Sequence, residues 1–272
     1  MTLITLPDGN TLRVEDSGPG DRPVLVWHNG SPHTGGLLDP VVAAAAERGM
    51  RVVTYARPSY GGSTPRPGRT VADAARDVAA LADELGLGSF HVVGASGGGP
   101  HALACAALLP NRVRAVATFA SPAPYTDAYD WFGGMQAPGA LRAALEGGRP
   151  ARATFAKTDE FDEAQFVAAD WAALAGAWGA VGSDASAADA AGPDGLVDDD
   201  VAFTRPWGFD LDAVRAPVLV VQGAADRVIP RSHGQALARA LPQAELRLLE
   251  GEGHVSVLRH LPASLDWLLA RP

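Results

Sequence analysis

The sequence predicts an α/β protein: a mostly parallel, eight-stranded sheet flanked by helices, with a helical cap inserted after the sixth strand. Three observations predict it. Short apolar runs alternate with helix-patterned segments in the first and last parts of the 272-residue chain. Runs such as VLVW, FHVV and VLVV are apolar at nearly every position, which suits strands covered on both faces of a parallel sheet. Between Pro122 and Asp210 the strand signal stops, and only helical fragments separated by Gly, Pro and Asp remain.

The elements follow in order. LITL and LRVED flank Pro7-Asp8-Gly9-Asn10, a turn signal, and read as a hairpin. PVLVWHNG is a strand running into a glycine turn. LLDPVVAAAAERG is a helix closed at Gly49. RVVTYA is the next strand, and the stretch from Arg57 to Arg69 is a Pro-, Gly- and Ser-rich loop. VADAARDVAALADELG has apolar residues at helical spacing, with Thr70 as its predicted N-cap. FHVVGAS, GGPHALACAALL and VRAVATFA then read as strand, helix and strand. After the insertion the alternation resumes with APVLVVQGAAD (strand), SHGQALARALP (helix), AELRLLEGEGH (strand and loop) and ASLDWLLA (closing helix). The predicted division is a core of residues 1–121 and 211–272 carrying a cap of residues 122–210.

Composition narrows the function classes. Apolar residues make up 47% of the chain, enough for a packed core. A net charge of −9 argues against a nucleic-acid partner. No apolar run is long enough to span a bilayer, and the amino terminus lacks the basic start and apolar stretch of a signal peptide, so a cytoplasmic location is expected. Cys105 is the only cysteine, which rules out an intrachain disulfide or a cysteine-based zinc site. Its setting in ALACAALL predicts a buried, inert thiol. No cofactor or metal is expected, and the partner is a small-molecule substrate. The segment from Pro122 to Asp210 holds 15 acidic and 5 basic residues, a net of −10, so nearly all the negative charge lies there. It also holds 12 of the 18 aromatic residues and must therefore have an apolar side to cover.

Gly94-Ala95-Ser96-Gly97-Gly98 matches G-x-S-x-G between a predicted strand and a predicted helix. That context is a nucleophile elbow, a turn so tight that the neighbours of the serine must be small. The helix N-terminus behind Ser96 favours developing negative charge. The chain lacks the Lys-Ser/Thr of a phosphate loop and the G-x-G-x-x-G of a dinucleotide fold. A serine hydroxyl needs a base. Of seven histidines, His254 in Gly251-Glu252-Gly253-His254 directly follows the last strand, where a loop can carry it over the sheet. The base needs an acid to hold its tautomer. Asp226 follows the strand VLVV on the sheet edge expected for Ser96 and His254, whereas Asp212 precedes that strand. Glu250 and Glu252 are too close in sequence to His254 to hold its ring from behind.

These pieces, NGSP, Arg57-Pro58-Ser59-Tyr60-Gly61-Gly62-Ser63, GASGGG, GAADRVIP and GEGH, resemble the α/β-hydrolase superfamily over nearly the whole chain. The likeness is to the branch with one glycine in the oxyanion loop and a helical cap. It implies a Ser96, Asp226, His254 triad, in the family's chain order. It also implies an oxyanion hole of two N–H donors, Gly97 after the nucleophile and Ser31 in His28-Asn29-Gly30-Ser31-Pro32. That loop is similar to the family's His-Gly-x-Pro, with Asn29 in the histidine place. Ala56 stands where many members have Asp. A serine nucleophile argues against the family's epoxide hydrolases and dehalogenases, which use aspartate. The reading that results is a serine hydrolase cleaving a carboxylic ester of a small or medium, uncharged and fairly apolar substrate. The alternatives are a lyase, perhydrolase or cofactor-free oxygenase using the same residues, or a small-ligand-binding protein.

Trp131, Phe132, Trp171, Trp178 and Trp207, with Asn29 below, are expected to line an apolar pocket over Ser96; otherwise they form the cap's own small core. The acidic cap is expected to set a negative potential at the entrance, unless Asp198, Asp199, Asp200 and their neighbours simply solvate an outer face.

Overall fold

The amino-terminal hairpin forms where its turn residues predict it. In the computed structural model, which describes residues 1–271, β1 (Thr2–Thr5) and β2 (Thr11–Asp16) pair antiparallel, with Leu3 opposite Arg13. The remaining strands are β3 (Val24–His28), β4 (Arg51–Tyr55), β5 (Phe90–Ala95), β6 (Val113–Phe119), β7 (Val218–Gly223) and β8 (Ala244–Leu249). They complete one eight-stranded sheet in the order β1-β2-β4-β3-β5-β6-β7-β8. From β4 onward every neighbour is parallel. Every residue of β3, β4, β5 and β7 is buried, as strands covered on both faces require.

The helices are α1 (Asp39–Ala46), α2 (Asp73–Glu84) and α3 (Gly98–Leu108), then α4 (Gly139–Phe155), α5 (Ala168–Leu174), α6 (Gly179–Ala190) and α7 (Asp194–Phe203) between β6 and β7, and finally α8 (Arg231–Ala240) and α9 (Leu261–Leu269). One apolar cluster joins a sheet face to Val78 and Leu81 of α2, Leu103 of α3 and Leu237 of α8. The other joins the opposite face to Val41 of α1 and Leu265 and Leu268 of α9. Cys105 is fully buried in the first cluster, and burial pushes its thiol up. Among the described residues no helix is long and apolar enough to cross a membrane.

Thr70 does not cap α2 as the sequence suggests. The helix starts at Asp73, whose carboxylate reaches back to accept both the Thr70 N–H (2.7 Å) and the Thr70 hydroxyl (3.0 Å). The Thr70 hydroxyl is thus spent as a donor to the charged Asp73 carboxylate and does not accept a helix N–H.

Between β6 and β7 the described residues form helices and no strand. The acidic run on α7 neither faces an entrance nor solvates an outer surface. Asp198, Asp199 and Asp200 are all buried. Successive helical residues turn by about 100°, so three in a row stay buried only where the helix is enclosed on several sides. Here α7 lies between α4 and the loop after β4, and each side supplies arginines. Arg149 meets Asp198 at 2.8 Å and Arg152 meets Asp200 at 2.6 Å from α4. Arg57 and Arg69 meet Asp199 at 2.6 and 2.7 Å from the core. The predicted field at the entrance therefore loses these three charges.

Candidate active site

Ser96 sits at the turn from β5 into α3 with φ of +50°, a left-handed conformation that costs a non-glycine residue about 1–2 kcal/mol. The turn is closed by the Ser96 N–H donating to Phe119 O (2.7 Å) and the Gly99 N–H donating to Ser96 O (3.0 Å). It is also tightly packed. A Cβ on Gly94 would lie 2.3 Å from Gly98 O, and one on Gly98 would lie 2.1 Å from His28 O. The small residues around Ser96 are thus demanded by backbone approaching backbone.

His254 reaches the elbow from the loop after β8, and its Nε2 is 3.0 Å from Ser96 Oγ. Its Nδ1 is 2.9 Å from Oδ2 of Asp226, which follows β7. An ionised carboxylate only accepts, so Nδ1 carries the hydrogen and Nε2 is left to accept from the serine hydroxyl. Asp226 is held in turn. Its Oδ1 accepts the N–H groups of Val228 (2.8 Å) and Ile229 (2.9 Å), and Oδ2 also accepts from the buried Gln222 Nε2 (3.3 Å). Asp212 lies in a short 3₁₀ turn before β7, away from this end, and Glu252 is paired with Arg259 and His260.

Electrostatics single out the same histidine. Burial alone lowers the proton affinity of His254, but the charge and hydrogen bond of Asp226, helped by Asp170, outweigh it and hold the ring above its usual value. His28, His33, His91, His101 and His233 all go down, each chiefly through burial, the last three to about 4.

The loop after β3 lies against the elbow: a Cβ on Gly30 would sit 3.4 Å from Ser96 Cβ. Arg57 anchors this loop by donating to Asn29 O (2.6 Å), Gly30 O (2.9 Å) and Ser31 Oγ (2.9 Å). In a planar trans peptide, fixing Gly30 C=O toward Arg57 turns the Ser31 N–H the opposite way. Among the described residues neither the Ser31 nor the Gly97 N–H has an acceptor. Asn29 is not brought into a pocket. Its buried side chain accepts from Trp27 Nε1 (2.8 Å) and donates to Thr54 Oγ1 (3.1 Å) and Gly36 O (3.2 Å), holding the loop from behind.

The five insert aromatics expected over Ser96 are scattered. Trp131 is buried against His233 and donates to Ala123 O, and Phe132 packs on it edge to face under the Arg142 guanidinium. Trp207 belongs to the core cluster of α2, α3 and α8. Trp178 shares the opposite cluster with Val255, the neighbour of His254. Trp171 is 42% exposed and meets Phe161 and Phe166 edge to face. The aromatic ring that does rest on the elbow is Phe203 of α7: a Cβ on Gly97 would lie 2.9 Å from its Cζ. Nothing in the local sequence marks Phe203. Sequence reading also misses Asp170 and Asp199, because only long-range folding brings them to the site. Among the described residues no cluster of three or more His, Cys, Asp or Glu is arranged to hold a metal.

Residues 23–261 match the family described as alpha/beta hydrolase fold. The chain belongs to that family. A hydrolase of Bacillus subtilis described as uncharacterized is 36% identical over 106 residues, 39% of this chain and 36% of the relative. The bifunctional esterase/perhydrolase of Acinetobacter calcoaceticus is 35% identical over 126 residues, 46% of this chain and 45% of the relative. These matches span less than half the length of either relative. The bromoperoxidase of Bacillus anthracis superposes with a TM-score of 0.76 over 99% of both chains at 24% identity, a likeness of fold.

Proposed function

We propose that this family member is a serine hydrolase that cleaves carboxylic esters through an acyl-enzyme. One observation carries the reading: a continuous chain from Asp226 through His254 to Ser96, with steps of 2.9 and 3.0 Å, ending on a serine in left-handed backbone. His254 Nε2 takes the Ser96 proton as Oγ attacks the ester carbonyl, and Asp226 stabilises the imidazolium. The oxyanion is met by the free N–H groups of Ser31 and Gly97 at the N-terminus of α3. His254 then protonates the leaving alkoxide. Water, deprotonated by the same nitrogen, attacks the acyl-enzyme and releases the acid. Removing one such N–H donor typically costs about 2.7–4 kcal/mol of barrier.

The names of the relatives, hydrolase and esterase/perhydrolase, support the hydrolytic chemistry. The second of these names also favours a second reading, in which hydrogen peroxide replaces water on the acyl-enzyme. Residues 122–210 act as a cap over the elbow in this proposal, with the substrate's apolar part against Phe203 and Trp178 on the side of His254. The substrate is small or medium in size and uncharged.

A fluorophosphonate probe tests the reading directly. Rapid labelling that maps to Ser96, together with turnover of a panel of graded acyl esters, is the expected result. Folded protein that takes no label on Ser96 would leave a ligand-binding role. Labelling without ester turnover would favour lyase or oxygenase chemistry.

A further inference from the structure

Asp170 lies on α5 of the insert, 84 residues before His254 in the chain, yet it is fully buried against the histidine loop. Its Oδ1 accepts the N–H groups of both Val255 and Ser256 at 2.8 Å, and its Oδ2 accepts the Val167 N–H at 3.0 Å. Val255 and Ser256 open the short 3₁₀ turn Ser256–His260, so the carboxylate satisfies donors that the turn itself leaves unpaired. On the other side of His254, a Cβ on Gly253 would lie 2.0 Å from Asp170 Oδ2. The Gly253 N–H is tied to Ser256 Oγ at 2.8 Å. Asp170 therefore holds the backbone just after His254 by two hydrogen bonds and packs against Gly253 just before it, while Asp226 holds the ring.

We propose that Asp170 is a positioning residue for the general base: from the insert it fixes the backbone that carries His254 and places a second buried negative charge beside the imidazole. The proposal rests on the hydrolase reading above and makes the insert part of the catalytic apparatus as well as its roof. A hydrogen-bonded carboxylate contributes here in two separable ways. It sets the approach of Nε2 to Ser96 Oγ, on which proton transfer depends steeply. It also stabilises the imidazolium as that cation forms. The charged groups around His254 are Asp226 from the loop after β7 and Asp170 from α5, both of which favour the protonated ring. On its own loop, Glu252, Arg259 and His260 are paired with one another.

The two contributions come apart in two variants. Asp170→Asn keeps an oxygen for Val255 and Ser256 but removes the charge and sets an amide N–H against the Val167 N–H. Asp170→Ala removes the grip altogether. The readout is the rate of fluorophosphonate attachment to Ser96 against pH, which needs no knowledge of the substrate, with melting temperature and circular dichroism recorded alongside. For Asp170→Asn the expected result is a labelling midpoint roughly half a unit or more below wild type, because His254 gives up its proton more readily without the second charge. For Asp170→Ala it is a loss of roughly tenfold or more in the plateau rate, in protein that still melts cooperatively. Asp184→Asn serves as control. Asp184 joins α6 to the Thr34 N–H and hydroxyl with no contact to the histidine loop, so its midpoint should not move. A wild-type protein that takes no label on Ser96 would sink the hydrolase reading. A labelled wild type with an unshifted midpoint in folded Asp170→Asn would overturn the role of Asp170 alone. So would an equal shift in Asp184→Asn. If Asp170→Ala does not fold, the Asp170→Asn midpoint decides.

Discussion

Ser31 and Asp199, 168 residues apart, share a hydrogen bond of 2.5 Å that joins the loop beneath the elbow to helix α7 of the insert. Asp199 is fully buried and also receives Arg57, Arg69 and the Tyr60 hydroxyl. Burial pushes its carboxyl up, but the two guanidinium groups prevail and hold it well below the usual range. Because Arg57 also binds Asn29 O and Gly30 O, one buried charge network sets the loop that carries Ser31.

Breaking that network should unfold more than it disarms. Asp199→Asn leaves Arg57 and Arg69 buried beside a neutral amide. Removing one partner of a buried pair typically costs about 3–5 kcal/mol, and urea denaturation should show a loss of that size. A loss under about 1 kcal/mol would mean that water or rearrangement satisfies both arginines.

Ser96→Ala should abolish ester turnover and probe labelling while the protein keeps its fold. The elbow accepts a small residue, and losing a triad nucleophile costs several orders of magnitude, up to about 10⁶ in kcat. Near wild-type turnover in purified Ser96→Ala protein would falsify the assignment of the nucleophile.

Asp226→Asn preserves the shape of the acid but presents an amide to Nδ1, selecting the wrong tautomer of His254. A fall of roughly 10⁴ in kcat is the expected scale. Asp212→Asn, in the turn before β7, should stay within a few-fold of wild type. Parallel kinetics on the two variants decide the matter, and reversed effects would transfer the role to Asp212.

Activity and stability should both decline with acid, for different residues. The proposed reaction needs neutral His254, whose proton affinity is raised, so the rate should fall as pH drops through a midpoint above 6.5. The buried histidines His101, His233 and His91 have folded values lowered to about 4 from 6.5, and His28 and His33 are also lowered. Between those limits the unfolded chain binds more protons, so stability present above 6.5 is lost as pH falls. By pH 5 His101 and His233, lowered to about 4, each remove roughly 1–2 kcal/mol. Asp200, raised by burial to about 6 despite Arg152, works in the opposite direction with one proton, and so does His254 just above 6.5. Melting temperatures at pH 7 and pH 5 should therefore differ, with the lower value in acid. Equal values would show that these histidines titrate freely in the fold.

By itself the sequence determined the alternation of strands and helices, the helical segment between β6 and β7, and the residues of the hydrogen-bonded chain. Those features are local. A continuous apolar run makes a buried strand, Gly94-Ala95-Ser96-Gly97-Gly98 makes a turn only small residues can follow, and Asp226 and His254 sit directly after strands whose ends share one edge of a parallel sheet. What lies within a few residues of a strand end inherits its position. The tertiary structure alone decided the uses of the insert's charge and aromatics. In the sequence, Asp198-Asp199-Asp200 reads as a solvated run; only the packing of α7 between α4 and the loop after β4 gives each carboxylate an arginine. Asn29 turned to Trp27 and Thr54, Trp207 joined the core, and Phe203 rather than the expected tryptophans rests on Gly97. Asp170 found the flanks of His254 across 84 residues of chain. A buried charge is tolerated only with its partner in place, and neither periodicity nor spacing says which distant residue that partner will be.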